Sequence, residues 1–349
     1  MSAPQLSRRR FLEQASVSAG AGLLLNSNRL GGAEPASQAA GHRGIKSGMK
    51  VGLYSITYLG LWYRGKALTL EEVIERARRY GYDGVEIDGK RPHGNPLDMP
   101  RRRCRELRSR AESAGIELYS VAANNDLSSP IPEVRESQLV YLRELIRMAG
   151  ELRVKTVRVF LAWPGVTRHP QLGRYDLARG FWKTIHESFS PEETWEWCRG
   201  GLAECARYAG EAGVILALQN HAPVIQDHQD VLRMAGEVNS PHLRVCLDVP
   251  IMPDKSPAVI QAAARAVGPL QVLSHFGGEY RRQADGSVQG EAFYPIFIQA
   301  MKAIGYNGYL GFELCHPLPV VNGQTVGIEF ADENARLAAE YMRGLIRAC

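Results

Sequence analysis

Four apolar runs in the second half of the chain end on polar residues that could share one reaction centre. Residues 214–223 (VILALQNHAP) pass from five apolar residues into Gln219, Asn220 and His221. LRVCLD ends at Asp248, LQVLSH at His275, and YLGFELCH carries Glu313 and His316. Runs of that length, apolar on both faces, suit strands of a parallel sheet. The polar residues then stand at carboxyl ends of strands, where barrels and open α/β sheets gather their chemistry. Two carboxylates, one imidazole and one amide oxygen suit a hard to borderline divalent cation. Mn2+ or Mg2+ is preferred over a thiolate-seeking metal, with Zn2+ and Co2+ admissible. Gln219, Asp248, His275 and Glu313 are therefore the candidate ligands of one ion. Singly, each has a plainer role: Asp248 as a helix cap, Glu313 in an ion pair, His275 as a hydrogen-bonded rim residue. A proton beside such an ion could be moved by Glu313 or by His221, since a neutral imidazole suits transfer near pH 7. His221 could instead only orient Glu86 or a substrate.

The elements that must position these residues alternate along the chain. Strands are expected at 49–56, 84–88, 116–123, 156–162, 214–218, 243–247, 270–274 and 308–312. Helices are expected at 70–80, 100–114, 133–150, 192–212, 226–238, 257–267, 292–304 and 332–347. Thr69 reads as the N-cap of the first helix, and Gly81, Gly115, Gly213 and Gly305 close helices. Eight strands each followed by a helix predict a single-domain α/β fold, a (β/α)8 TIM barrel over 49–349. A doubly wound sheet is the competitor, but no GxGxxG follows the first strand. Residues 163–191 read as a long loop, and loops of that size in a compact domain usually act as lids or inserts.

Composition sets the outer limits. With 349 residues, 45% of them hydrophobic and 23% charged, the chain is long enough for one large domain. A net charge of +5, with several basic residues in the leader or in the helix at 100–110, leaves no nucleic-acid footprint. Six cysteines without CxxC spacing read as packing residues. The leader is informative: Ser7-Arg8-Arg9-Arg10-Phe11-Leu12 precedes a weakly apolar run at 15–25 and small residues at 31–41. That order predicts a twin-arginine export signal over residues 1–40, too short to span a bilayer, and a mature protein that is periplasmic and not membrane-bound.

The GYDGVEI of the second strand and the LQNH, CLD, SHF and GFEL signatures, in that order, resemble the xylose-isomerase-like barrel superfamily of sugar phosphate isomerases and epimerases. The resemblance covers about residues 49–347. It implies Asp248, His275 and Glu313 as ligands of one divalent metal, and a small-molecule sugar as substrate. It also implies a substrate-binding arginine at Arg281. Endonuclease IV, inosose dehydratases, hydroxypyruvate isomerases and the larger subunits of C-glycoside deglycosidases share the superfamily, so a homo-oligomer or a small accessory subunit is a conceivable partner. The chain departs from the pattern at Gln219, where the epimerases usually carry Glu, and at Ile251, where they tend to carry His. An amide oxygen can ligate a metal but cannot accept a substrate proton. With one base in place of two, the implied activity is an isomerase or epimerase of an unphosphorylated sugar or keto-sugar through an enediolate. The alternatives are a lyase that eliminates from a 3-keto-glycoside, and a catalytically silent periplasmic sugar-binding protein. Glu86, Trp163, Asn220, Tyr280 and Arg281 are the candidates for substrate contact.

Overall fold

The structure, a computed structural model, describes residues 48–168 and 172–349. The expected export signal lies outside the described residues. Eight parallel strands close a barrel: β1 (Lys50–Tyr54), β2 (Gly84–Asp88), β3 (Glu117–Ala122), β4 (Thr156–Val159), β5 (Ile215–Gln219), β6 (Leu243–Cys246), β7 (Gln271–Gly277) and β8 (Tyr309–Glu313). Each strand pairs with its neighbours in sequence, and β1 pairs with β8 to complete the ring. The TIM-barrel expectation is met.

Local chemistry sets the helix boundaries. Helix α1 (Leu70–Tyr80) opens with a capping box, in which Thr69 Oγ1 accepts from the Glu72 amide at 3.3 Å and the Glu72 carboxylate accepts from the Thr69 amide at 2.7 Å. It closes at Gly81, whose φ of 78° is costly for residues with a Cβ. Helices α2 (Arg101–Ser113) and α3 (Pro132–Leu152) follow β2 and β3.

The segment expected as a loop between β4 and the next helix holds a short ribbon, Thr167–Arg168 with Gly173–Arg174, and an extra helix α4 (Asp176–His186). Leu177, Phe181, Trp182 and Ile185 recur at helical spacing there, a pattern obscured by the surrounding Gly, His and Pro. Helices α5 (Pro191–Ala212), α6 (His228–Val238), α7 (Pro257–Val267), α8 (Tyr294–Ala303) and α9 (Ile328–Ala348) complete the outer layer. Strand β4 stops at Val159 instead of reaching 162, because the Asn125 side chain takes over the bonding. Its Oδ1 accepts from the Phe160 amide at 3.1 Å, and its Nδ2 donates to the Phe160 carbonyl at 2.7 Å. Strand β7 runs past the expected end, so His275 lies inside it.

Beneath the site the barrel is filled by Tyr119, Ala217, Cys246, Leu273 and Tyr309. Tyr119 and Tyr309 stack at 3.9 Å between centroids. Glycine makes the room: a Cβ at Gly84 would come within 2.9 Å of the Tyr119 ring and one at Gly311 within 2.6 Å of its hydroxyl, while one at Gly52 would fall on the ring. Pairing of large and small residues across strands is how a small barrel closes over a solid interior. Gly52→Ala should therefore cost about 1–3 kcal/mol through overpacking, read as a lower denaturation midpoint with an unchanged slope. An unaltered midpoint would show that Tyr119 can move aside.

Candidate active site

At the carboxyl end of the barrel five side chains close a hydrogen-bonded ring. Arg158, from the middle of β4, donates from Nε to Glu86 Oε1 at 3.3 Å and from Nη1 to Gln219 Oε1 at 2.9 Å. Glu86 Oε2 lies 2.6 Å from His275 Nε2, and His275 Nδ1 lies 2.9 Å from Asp248 Oδ2. Gln219 Nε2 donates to the same Asp248 oxygen and closes the circuit. The guanidinium is 3% exposed and Glu86 is fully buried. Tyr54 and Phe160 cover its faces, with centroids 4.7 and 5.3 Å from Cζ. Two irregularities in strand pairing, at Val85/Glu86 and at Val245/Cys246, fall beside this ring. Bulges of this kind re-aim a side chain next to a site.

The ring sets the charges. Burial alone would raise the Asp248 carboxyl, but His275, Arg158 and the Gln219 amide outweigh it and hold its pKa at about 2. The other Asp248 oxygen accepts from the His275 amide at 2.7 Å and the Ser274 hydroxyl at 3.1 Å. Burial likewise opposes the charge on His275, yet Asp248 and Glu86 on either side raise its pKa well above the usual value. Glu86 is lowered against its burial by His275 and Arg158.

Among the described residues, Cys246, Asp248 and His275 each bring a ligand atom within 4.8 Å of the others. The 2.9 Å between Asp248 Oδ2 and His275 Nδ1 is about the spacing of adjacent ligands held at ~2.1 Å around one ion. Glu86 on the far nitrogen of His275 is the outer carboxylate that orients a ligating imidazole. These residues fit a divalent ion that keeps several of its waters, its binding displacing the proton that His275 Nδ1 otherwise holds against Asp248. Cys246 does not suit it, because burial pushes its thiol pKa up and keeps it protonated.

A cavity of about 160 Å3 opens above the ring. It is walled by Tyr54, Phe160, Trp163 and Tyr175, and Arg158, Arg179, Gln219, His221 and Glu313 also line it. Glu313 is the carboxylate facing this space. Removal from bulk water raises its pKa, against the pull of His275 and Arg158. His221 meets the ring of Phe160 at 5.1 Å and that of Trp163 at 5.0 Å, both edge-on. Its Nδ1 lies 2.5 Å from the Ala222 carbonyl, so Nδ1 carries the proton and Nε2 is free to accept. Burial, reinforced by Arg158 and Arg179, lowers its pKa to about 4. His221 is thus neutral and a weak base, while Glu313 is the carboxyl whose proton affinity is raised.

The expected site residues separate into three groups. Asp248, His275 and Gln219 come into contact, but Gln219 spends its oxygen on Arg158 and braces Asp248 with its nitrogen rather than turning an oxygen to an ion. Glu313, His221 and Trp163 line the cavity, with Glu313 outside the close ligand group. Four residues expected to touch substrate do other work. Glu86 lies behind His275. Asn220 holds the Asp248 backbone, its Oδ1 accepting from the amide at 2.7 Å and its Nδ2 donating to the carbonyl at 3.0 Å. Tyr280 packs in the core against Phe312 and Tyr341. Arg281 projects from an exposed ribbon, 3.8 Å from Glu279. The sequence reading passed over Arg158, Tyr54, Phe160, Tyr175 and Arg179. Arg158 had a usable signal, a charge at the centre of the buried strand TVRV, where only the barrel interior offers a partner.

A family model described as xylose isomerase-like TIM barrel matches residues 74–345. A fructoselysine 3-epimerase of Shigella flexneri is 23% identical over 290 residues, covering 76% of this chain and 90% of its own. A D-psicose 3-epimerase of Ruminiclostridium cellulolyticum is 24% identical over 286 residues, covering 77% and 85%. Among solved structures, a D-psicose 3-epimerase in the presence of D-fructose superposes with a TM-score of 0.64 at 19% identity, covering 85% of this chain and 99% of that one. A 3-keto-D-glucoside 4-epimerase from E. coli gives 0.60 at 18%, covering 86% and 100%. The solved structures carry the fold alone.

Removing one member of a buried ion pair strands the other. Arg158→Met should destabilise the protein by about 3–5 kcal/mol in denaturant unfolding, and Arg158→Met with Glu86→Gln should recover part of that loss. A double variant no more stable than the sum of the two single ones would show that the pair is not coupled.

Proposed function

The chain belongs to the xylose isomerase-like TIM barrel family, and we propose that it is a sugar isomerase or epimerase acting on an unphosphorylated ketose or keto-glycoside with one divalent ion, Mn2+ or Mg2+. The leader with Arg8 and Arg9 would carry it to the periplasm. The relatives named as 3-epimerases support this reading, and one observation carries it: a carboxyl of raised pKa, Glu313, faces an aromatic-walled cavity also lined by Arg158 and Gln219, two members of the ring that holds Asp248 and His275.

A divalent ion bound by Asp248 and His275 would polarise a sugar carbonyl and acidify the adjacent C–H. Glu313 takes that proton and, returning it to the neighbouring carbon, gives the isomer; an epimer requires a proton delivered to the opposite face by a donor other than Glu313. Its raised pKa narrows the gap to the carbon acid, which is the direction a general base needs near neutral pH. His221 Nε2 accepts a hydrogen bond from a sugar hydroxyl and orients the ring. Arg158 stays charged and, paired with Glu86, is a fixed dipole beneath the developing enediolate. Trp163, Phe160 and Tyr175 cover the apolar face of the sugar and exclude water.

A second reading is favoured by one feature. Glu313 is the carboxylate lining the cavity among the described residues, and a single base suffices for β-elimination from a 3-keto-glycoside. Both reactions begin with the same proton removal.

The test uses Mn2+-loaded protein with a panel of unphosphorylated ketoses and 3-keto-glycosides in deuterated water. Deuterium should enter the carbon beside the carbonyl of one substrate, with epimer or aldose product for the first reading and loss of the aglycone for the second. Glu313→Gln should lower kcat by about 10²–10⁴. Sugar binding without exchange on any substrate would overturn both readings.

A further inference from the structure

The extra helix α4 places a cation at the cavity that the proton-transfer chemistry does not need. Arg179 lines the same space as Glu313 and His221, and its guanidinium lies 5.2 Å from the centroid of Tyr175, one of the cavity walls. Its charge reaches the interior, since it helps to depress the pKa of His221. Its nearest helical carboxylate is taken: Asp176, three residues earlier, is held by both Nε and Nη2 of Arg174. Among the described residues Arg179 has no carboxylate partner.

The other basic groups near the cavity are committed. Arg158 is bound by Glu86 and Gln219. Lys90, beside the cavity residue Asn124, lies 3.2 Å from Asn124 Oδ1 and 3.8 Å from Asp88. Both cations thus already have partners. Arg179 alone offers an uncommitted, forked set of N–H donors to whatever lies against Tyr175. A guanidinium in that setting matches a carboxylate or phosphate in bidentate geometry, and it gains little from a neutral hydroxyl that water could satisfy equally well.

Resting on the isomerase or epimerase reading for the reacting end, we infer that the sugar carries an anionic group distal to the carbon that exchanges its proton, and that Arg179 binds this group. A carboxylate, as in a keto-uronic acid, agrees with an unphosphorylated substrate. A phosphate ester shares the same recognition chemistry.

Three probes with the same carbon skeleton separate these cases: D-fructose, D-fructuronate and D-fructose 6-phosphate. Binding is measured by calorimetry on the Mn2+-loaded full chain, for the wild type, Arg179→Gln and Arg179→Lys. Deuterium exchange is followed in parallel. The wild type should bind one of the charged sugars at least about tenfold more tightly than fructose, with the advantage shrinking as salt rises. Arg179→Gln should abolish most of that ratio, and Arg179→Lys should restore part of it. Preference for fructuronate identifies a carboxylate. Preference for the phosphate ester upholds the role of Arg179 and removes the unphosphorylated substrate from the proposed function. A charged-to-neutral ratio near one, or a ratio unchanged in Arg179→Gln, overturns the inference even if exchange is seen. Binding with the expected ratio but no exchange on any substrate would instead overturn the isomerase reading and leave the anionic subsite standing.

Discussion

A guanidinium inside a closed barrel cannot be left without a counter-charge. Arg158 is cut off from solvent by Tyr54, Phe160 and the strands around it, and an isolated buried ion costs many kcal/mol unless it is paired and hydrogen-bonded. Glu86 neutralises it, and the rest of the site follows from that pairing. The second oxygen of Glu86 fixes His275, His275 fixes Asp248, and Gln219 returns the chain of bonds to Arg158. Each member holds the next in one rotamer, so Asp248 and His275, the donor pair proposed for a metal, are preorganised by the charges around them. The ring also supplies a reason for an amide at position 219. A carboxylate there would face the oxygen of Asp248 that the amide now donates to, and like charges at that range repel strongly.

The surrounding fold serves this ring in two ways. Beneath it, stacked Tyr119 and Tyr309 fill the barrel at positions vacated by Gly52, Gly84 and Gly311, giving the site a rigid floor. Above it, the segment between β4 and α5 brings Tyr175 and Arg179 over the opening. Trp62, from the loop after β1, packs against Tyr175 at 4.9 Å and ties that segment to the barrel. Glu313 lies between floor and roof. Its carboxyl has no hydrogen-bond partner among the described residues, which leaves it free to exchange a proton, whereas Asp248 is saturated with donors and held ionised. The two carboxyls are thus pushed in opposite directions, as the proposed division of labour between ligand and base requires.

The barrel was legible in the sequence because its signals are local and repeated: short apolar runs bounded by polar strand ends, and helices closed at Gly81, Gly115, Gly213 and Gly305, all of which adopt positive φ. Asp248, His275 and Glu313 were legible for the same reason. What escaped depends on direction rather than position. Asn220 follows Gln219 directly yet turns to the Asp248 backbone, and Tyr280 lies near the rim but points into the core beneath α9. Arg158 was hidden by its location before the strand end, where polar residues were sought. Helix α4 was hidden by turn-forming residues around it. The preference for Glu313 over His221 as base rests on burial, which no sequence pattern reports.

In the proposed function the ring positions Asp248 and His275 to hold one divalent ion next to Glu313. Anomalous diffraction from crystals grown with Mn2+ tests this most directly. A single strong peak is expected at about 2.0–2.3 Å from Asp248 Oδ2 and His275 Nδ1, on the side facing the cavity, with Glu86 still bonded to His275 Nε2. Crystals that contain manganese but show no peak between those two atoms, or show it only elsewhere on the molecule, would contradict it.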